Sequence, residues 1–314
     1  MAYGLLTQTT RAGGFSTDVD ESLKEDLVDI ITDVSPDENP LSTMLAKRTA
    51  SQPFHQWQED YVDRPTSVAG SIEGAAATYE DLEAPLRRGN WTMITTQTFR
   101  VSGTESASDH AGMGDPYTYQ AVKALKKFKN KQEYALINGA MASGSSGVAR
   151  QMAGLKSVVT SHFTARNSGS SLSETEFNKA VKAVWTDVGV SDVFDLVLVP
   201  FGLKQKISTF TAGSTKYVDA KDKRLTKPVM VYESDGGVHR IMAHKDVSGA
   251  ATTPGPRMLA IKEDKYKIAY LRNPKQTELA LDGDRRNGMI VGEYALEFLA
   301  ERTSWNSCGY HVDG

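Results

Sequence analysis

The residues that could do chemistry in this 314-residue chain are few and scattered. There is one cysteine, Cys308, and six histidines, His55, His110, His162, His239, His244 and His311. One thiol can close no internal disulfide and no cysteine-based metal cluster, which fits a reducing compartment. His239 and His244 lie an odd number of positions apart, so on one strand they face opposite ways and make no metal pair. The histidines read as solvent-exposed. Gly154-Leu155-Lys156-Ser157 has the tail of a phosphate loop without the Gly-Lys pair and the upstream glycine spacing. No Gly-x-Gly-x-x-Gly opens a helix after a strand, and no Gly-x-Ser-x-Gly elbow occurs. Asp282-Gly283-Asp284 could begin a calcium loop, but Arg285 and Arg286 stand where further oxygen donors should follow. Those arginines read instead as a surface turn or a subunit contact. Cys308 sits in a polar tail with no base nearby, so it reads as an inert thiol. The sequence therefore predicts no catalytic residue, no metal and no cofactor.

What remains is the chemistry of binding. Net charge is −3, hydrophobic content 39% and charged content 24%, so the whole molecule draws no strong polyanion attraction. Met1 to Phe15 lacks the apolar core of a signal peptide, and no window nears the roughly 18 apolar residues that cross a bilayer. The expectation is a soluble intracellular protein with no membrane role.

The elements come next. Asp115-Pro116 should open one long helix over 116–139, with the carboxylate capping and proline in the first position. Tyr117, Ala121, Val122, Leu125, Phe128, Ala135 and Leu136 form its apolar stripe, interrupted by Gln132. The opposite face carries Lys123, Lys126, Lys127, Lys129, Lys131 and Glu133. It is either a solvated face or a weak, sequence-independent attraction for phosphates. Before it, Met1 to Ser16 reads as an arm. An acidic segment follows, with Leu23, Leu27 and Ile30 on one helical face. It is a short surface helix or a docking helix for a neighbouring subunit. Strand-like runs at Phe54–Val62 and Trp91–Val101 flank Thr66–Gly89, a long stretch of small residues. That pattern predicts a two-stranded arm with a loose tip, and such a ribbon is marginal alone in water. It should therefore lie on something, most economically another copy.

Ser173-Glu174-Thr175-Glu176 is a capping box opening an amphipathic helix through Val188. Strands at Val193–Val199, Pro228–Glu233 and Val238–Ala243 complete an α/β unit from Ser173 to about Gly249, the last two joined by Asp235-Gly236-Gly237. Short strands at Met258–Ile261 and Tyr266–Leu271 follow. Met289–Leu299 alternates as a strand with one buried face.

This order of parts resembles the major capsid proteins of tailed bacteriophages, the Hong Kong 97-like fold. Ile31-Thr32-Asp33-Val34-Ser35-Pro36-Asp37-Glu38-Asn39-Pro40-Leu41 followed by Phe54-His55-Gln56-Trp57-Gln58-Glu59-Asp60 is similar to the start of one subfamily. Gln132-Glu133-Tyr134-Ala135-Leu136-Ile137-Asn138-Gly139 resembles the end of its spine helix. Gly283-Asp284 and Val291-Gly292-Glu293-Tyr294-Ala295-Leu296-Glu297 resemble its closing strand. The resemblance implies an α+β fold with an N-terminal arm (1–50), an extended loop (51–103) and a peripheral domain (104–172 and 256–314) holding the spine helix. An axial domain (173–255) completes it. It implies a structural, non-enzymatic protein that tiles an icosahedral head around double-stranded DNA, as hexamers and pentamers, located in the virion and in host cytoplasm during assembly. A scaffolding protein, a portal and a cement protein are its implied partners. Candidate intersubunit contacts are Trp57, Tyr61, Arg64, Arg87, Arg88, Trp91, Arg285 and Arg286. No long scaffolding extension precedes the arm, so the chain would use a separate scaffold or be already trimmed; Met1 favours the former. Some relatives weld subunits through a loop lysine, but no lysine lies between Lys47 and Lys123, and arginine cannot be deprotonated to attack a carbonyl. The expectation is a shell held by non-covalent contacts. Two other readings stay open: an encapsulin-like shell that stores cargo, and an α/β enzyme with a lid at 66–89.

Overall fold

A computed structural model describes residues 39–62, 67–77, 79, 84–108, 114–189, 192–210, 231–247, 256–280 and 283–310. The expected arm helix at Leu23, Leu27 and Ile30, and the candidate Arg64, lie outside them. The first half of the chain holds α1 (Pro40–Met44), β1 (Ala46–Thr49), β2 (Phe54–Glu59), β3 (Leu86–Trp91), β4 (Met93–Ser102), α2 (Gly103–Ala107) and α3 (Pro116–Asn138). It continues with α4 (Leu155–Val158), β5 (Phe163–Ser170), α5 (Glu174–Val188), β6 (Leu196–Val199) and α6 (Phe201–Ser208). The second half is stranded: β7 (Val231–Ser234), β8 (Gly237–Ala243), β9 (Arg257–Ile261), β10 (Tyr266–Leu279), β11 (Arg285–Phe298) and β12 (Trp305–Tyr310).

Helix α3 forms where its caps predict. The Asp115 carboxylate accepts the N–H groups of Tyr117 and Thr118, both at 3.2 Å. Its acidity is strengthened chiefly by the Thr118 hydroxyl, which donates to Oδ2, the oxygen that also accepts the Thr118 N–H. Gly139 ends the helix, its N–H bonded to the Ala135 carbonyl at 3.0 Å. The buried stripe differs from the expected one. Tyr117, Ala121, Ala124, Phe128, Gln132 and Ala135 are buried, whereas Val122 and Leu125 are 53% and 42% exposed. Those two sit at the stripe's edge, beside Pro274, Gln276 and Ile290, where the sheet no longer covers the helix. Glu133, expected among the lysines, is buried. Helix α1 docks on that side, and the Glu133 carboxylate accepts the N–H groups of Leu41 (2.7 Å) and Ser42 (2.9 Å).

A four-stranded sheet, ordered β1-β10-β11-β4, lies on α3. Contact is close at Gly292, where a Cβ would come within 2.9 Å of the Phe128 ring. The absence of a side chain there lets helix and strand approach. Strand β11 was expected to bury one face only; from Gly292 to Phe298 it buries both. Tyr294 and Leu296 join the core under α3. On the other face Glu293 and Glu297 stay buried because each has hydrogen-bonding partners. Glu293 pairs with Arg150 (2.8 Å) and Arg272 (2.9 Å), and Glu297 with Arg48 (2.8 Å) and His55 (2.9 Å). Buried carboxylates persist only when so satisfied.

A second, six-stranded sheet runs β5-β12-β9-β6-β8-β7. It reaches outside the α/β unit expected at 173–249, recruiting β5 before it and β9 and β12 after it. Strand β6 is buried on both faces: Leu196 and Leu198 enter the α3 core, Val197 and Val199 the core under α5 and α6. Ser173 caps α5 by accepting the Glu176 N–H at 3.3 Å. None of the four described histidines is exposed: His55 and His162 are part-buried, and two lie deeper. His239 bonds the Phe194 carbonyl through Nδ1 (2.8 Å) and the Ser234 hydroxyl through Nε2 (2.7 Å), and His244 bonds Glu133 at 2.9 Å; both are buried. Cys308, expected in a polar tail, is buried in β12 between β5 and β9.

Candidate assembly interface

Strands β2 and β3 pair antiparallel as a separate ribbon, from Phe54 opposite Trp91 to Glu59 opposite Leu86. The expected second strand, Trp91–Val101, divides at Thr92. Its first residue ends the ribbon and the remainder is β4, paired with β11. Thr92 is the pivot. It is buried, its N–H bonds the Pro53 carbonyl at 2.8 Å, and its hydroxyl donates to Glu293 at 2.8 Å. Leu86-Arg87-Arg88 carries no alternation, which is why the sequence hides the true start of the second strand.

The root of the ribbon packs on its own chain. Trp57 meets Phe298 edge to face, centroids 4.7 Å apart, and belongs to the α3 core. Asn90 is fully buried. Its amide donates to the Ala153 (3.0 Å) and Leu296 (2.8 Å) carbonyls, and its oxygen accepts the Ala153 N–H (2.8 Å). Trp91 is half-buried against Phe54 at 4.7 Å.

Beyond the root the ribbon opens into water. Val62, Val68, Ile72 and Tyr79 are each more than four-fifths exposed, between 83% and 92%. The tip turns at Glu73-Gly74, with Gly74 at φ 79° and the Ala75 N–H bonded to Ile72 at 3.0 Å. A left-handed φ is one that glycine adopts at little cost.

The other candidate contacts divide in the same way. Trp57, one of the candidate intersubunit residues, is 8% exposed and packs in the chain's own core. Tyr61 lies under the Arg302 guanidinium at 3.9 Å and donates to Asp187 at 3.2 Å, so it too engages its own chain. Arg88 pairs with Glu59 across the ribbon at 3.2 Å, while Arg87 stands exposed opposite Gln58. Arg285 and Arg286 open strand β11 opposite Ser102 and Val101. They were expected in a surface turn or a subunit contact. Arg286 stacks on Tyr117 at 4.2 Å and pairs with Glu278 at 3.1 Å, a bond that holds its proton more tightly.

The sequence reading missed the buried polar anchors Asn90, Glu133, Glu293 and Glu297. The one available signal was Glu293 and Glu297 sharing a face of a strand otherwise rich in apolar residues. Lys156, from the incomplete phosphate motif, is spent on structure. Its ammonium reaches the Asn138 side chain and the Asp246 carbonyl, and burial, with Arg257 nearby, lowers its pKa to about 8. Among the described residues no group of His, Cys, Asp and Glu is placed to hold a metal. Among them also, no helix is long and apolar enough to cross a membrane.

Comparison with known proteins gives a consistent picture. The family model described as SU10 major capsid protein matches residues 6–305. The major capsid protein of Escherichia phage Phieco32 is 28% identical over 109 residues, 35% of this chain and 31% of that protein's length. Among solved structures, the capsid of a native GTA particle superposes with a TM-score of 0.66 at 10% identity, covering 92% of this chain and 96% of that one. The capsid of Myoviridae phage XM1 gives 0.61 at 10%, covering 91% and 96%. The SrpI encapsulin of Synechococcus elongatus gives 0.57 at 12%, covering 93% and 94%. These superpositions establish the Hong Kong 97-like fold.

Proposed function

Because the chain belongs to the SU10 major capsid protein family, and so is a structural shell protein of a phage virion, we propose that it works by self-assembly through the ribbon tip. The observation that carries this reading is the contrast along one ribbon: a root packed on the chain's own core and a tip whose apolar side chains face water. Apolar groups gathered at one projecting tip gain by burial against a neighbour. The copies associate as hexamers and pentamers of one closed shell. Within each, residues 1–50 serve as the arm and residues 51–103 as the extended loop. Residues 104–172 and 256–314, with helix α3, serve as the peripheral domain, and residues 173–255, with α5 and α6, as the axial domain. Arg87 and Arg88 contact carboxylates of an adjacent subunit. The chain performs no catalysis. A separate scaffold, a portal and a cement protein complete the head, which encloses double-stranded DNA contacted without sequence preference, and assembly takes place in host cytoplasm.

Deleting Ser67–Glu83 tests the reading. The variant should stay folded, with an unchanged circular dichroism spectrum, and should form no closed particles by electron microscopy. Normal shells from the deletion variant would overturn it. The fold is shared with an encapsulin, so the content of wild-type particles is the second measurement. Nuclease-protected DNA supports the phage head, and protein cargo without DNA supports storage.

A further inference from the structure

Helix α3 and strand β4, the uncovered edge of the four-stranded sheet, leave a groove between them. Two hollows of about 740 and 420 Å³ make it up, and Lys127 and Asn130 line both. Its walls are mainly basic: Lys127, Lys131 and Lys245 line the first hollow beside one carboxylate, Asp246, and Arg100, Lys123, Lys126 and Lys127 the second. Lys131 donates to the Thr96 carbonyl at 2.9 Å, and Lys123 lies 5.2 Å over the Tyr119 ring. Its floor is partly apolar, since Ile94 and Tyr134, both about half exposed, line the first hollow.

Asn39 and Pro40 stand at the rim of the first hollow. They are pinned there, the Asn39 amide donating to Asn130 at 2.9 Å and the following Leu41 N–H to Glu133. The chain immediately before them, Asp18 to Glu38, carries nine acidic residues against a single lysine, and Leu23, Leu27 and Ile30 recur at helical spacing. Even if wholly helical that segment would span on the order of 30 Å, while Lys131 to Lys123 covers roughly 12 Å of α3. The segment therefore starts at one end of the groove and has ample length to follow it.

We propose that the acidic segment Asp18–Glu38 of this same chain occupies the groove between α3 and β4, setting its carboxylates against Lys123, Lys127 and Lys131 and its leucines on the Ile94–Tyr134 floor. The contact lies within one chain and does not depend on shell formation. It gives the lysines acidic partners, beyond the Thr96 carbonyl and the Tyr119 ring that Lys131 and Lys123 already meet. Charge complementarity of this kind sets the register of a segment and is weakened by salt.

The test uses unassembled full-length chains at low ionic strength, treated with a carbodiimide that joins carboxylates to amines without a spacer, then digested and mapped by mass. Cross-links should join residues 18–38 to Lys123, Lys127 or Lys131 and should be several-fold scarcer at Lys129, which is exposed but lines neither hollow. In an equal mixture of isotope-labelled and unlabelled chains the joined peptides should carry one label only. A second variant, Leu23→Asp with Leu27→Asp, keeps every wild-type carboxylate and lysine, and should lose these cross-links several-fold. Mixed-label pairs would overturn the proposal in favour of a second copy. Equal labelling of Lys129, or cross-links unchanged in the leucine variant, would reduce it to loose charge encounter and overturn it as well.

Discussion

The two ends of the β2–β3 ribbon are built from similar residues and behave oppositely. At the root, Trp57 is covered by Phe298, and each polar atom of the Asn90 side chain has a partner at 2.8 to 3.0 Å. At the tip, Val62, Val68, Ile72 and Tyr79 have water where the root has a core. An isolated two-stranded ribbon is marginal, and only packing on other structure makes it durable. The root finds that packing in its own chain. If the tip seats on a neighbour, monomer folding and shell assembly draw on separate residues of one element, and substitutions can separate them.

The largest effects should fall at the anchored end. Trp57→Ala removes a core aromatic ring and should cost about 3–5 kcal/mol, read as a lower denaturation midpoint with unchanged slope. Phe128→Ala, whose ring rests on Gly292, belongs in the same range. Leu125→Ala, four-tenths exposed, should cost well under half as much. A Trp57→Ala chain with wild-type stability would place the root in solvent and dissolve the comparison. Asn90→Ala sharpens it further. It leaves the Ala153 N–H and two buried carbonyls without their partner, and each buried unsatisfied group costs about 1–3 kcal/mol.

Much of this was legible from sequence, and what was not has a physical cause. Local signals held where one residue decides: the Asp115-Pro116 start of α3, the Ser173 cap of α5, the Asp235-Gly236-Gly237 hairpin. The stripe on α3 was misplaced by one side, because Val122 and Leu125 fit a helical period as well as Ala124 and Gln132 do. Only the sheet's position selects between them. Trp57 read as a contact and is core, since periodicity cannot say whose core a tryptophan enters. The buried carboxylates were invisible because their partners come from distant parts of the chain: Arg48 and His55 for Glu297, Arg150 and Arg272 for Glu293. The same holds for the six-stranded sheet, whose β5, β9 and β12 meet across long sequence separations.

The pH dependence of stability should belong to the buried part alone. Burial holds His239 below the ordinary imidazole value, with the Phe194 carbonyl opposing only in part. Because a carbonyl only accepts, Nδ1 carries the proton and Nε2 accepts from Ser234. A depressed folded-state value means the unfolded chain binds the proton first. The contribution is complete above about 6.5 and is lost as pH falls from there through the lower folded value. Asp246, raised by burial, acts with the opposite sign in the lower, carboxylate range. Melting temperature should therefore drop between about pH 7 and pH 5.5 in the wild type, and by less in His239→Gln. Deletion of the tip should leave the slope unchanged; a slope that changes with the tip would tie the two regions together.

The smallest effect on the monomer should come from the tip, and this is the sharper half of the comparison. Ile72→Ser with Val68→Ser removes two side chains that are 83% and 87% exposed. Neither reaches a core, so the midpoint of unfolding should move by less than about 0.5 kcal/mol, the range of surface substitutions away from special features. If the tip seats on a neighbour, the same pair loses apolar area at every copy of that contact. Burial contributes roughly 25 cal/mol per Å², and a closed shell repeats the deficit at each repetition of the interface. Particle yield should then fall sharply while the monomer's melting curve stays in place. A shift in the melting curve of the size seen for Trp57→Ala would instead place these side chains inside the chain's own core. An unchanged yield would assign assembly to other surfaces.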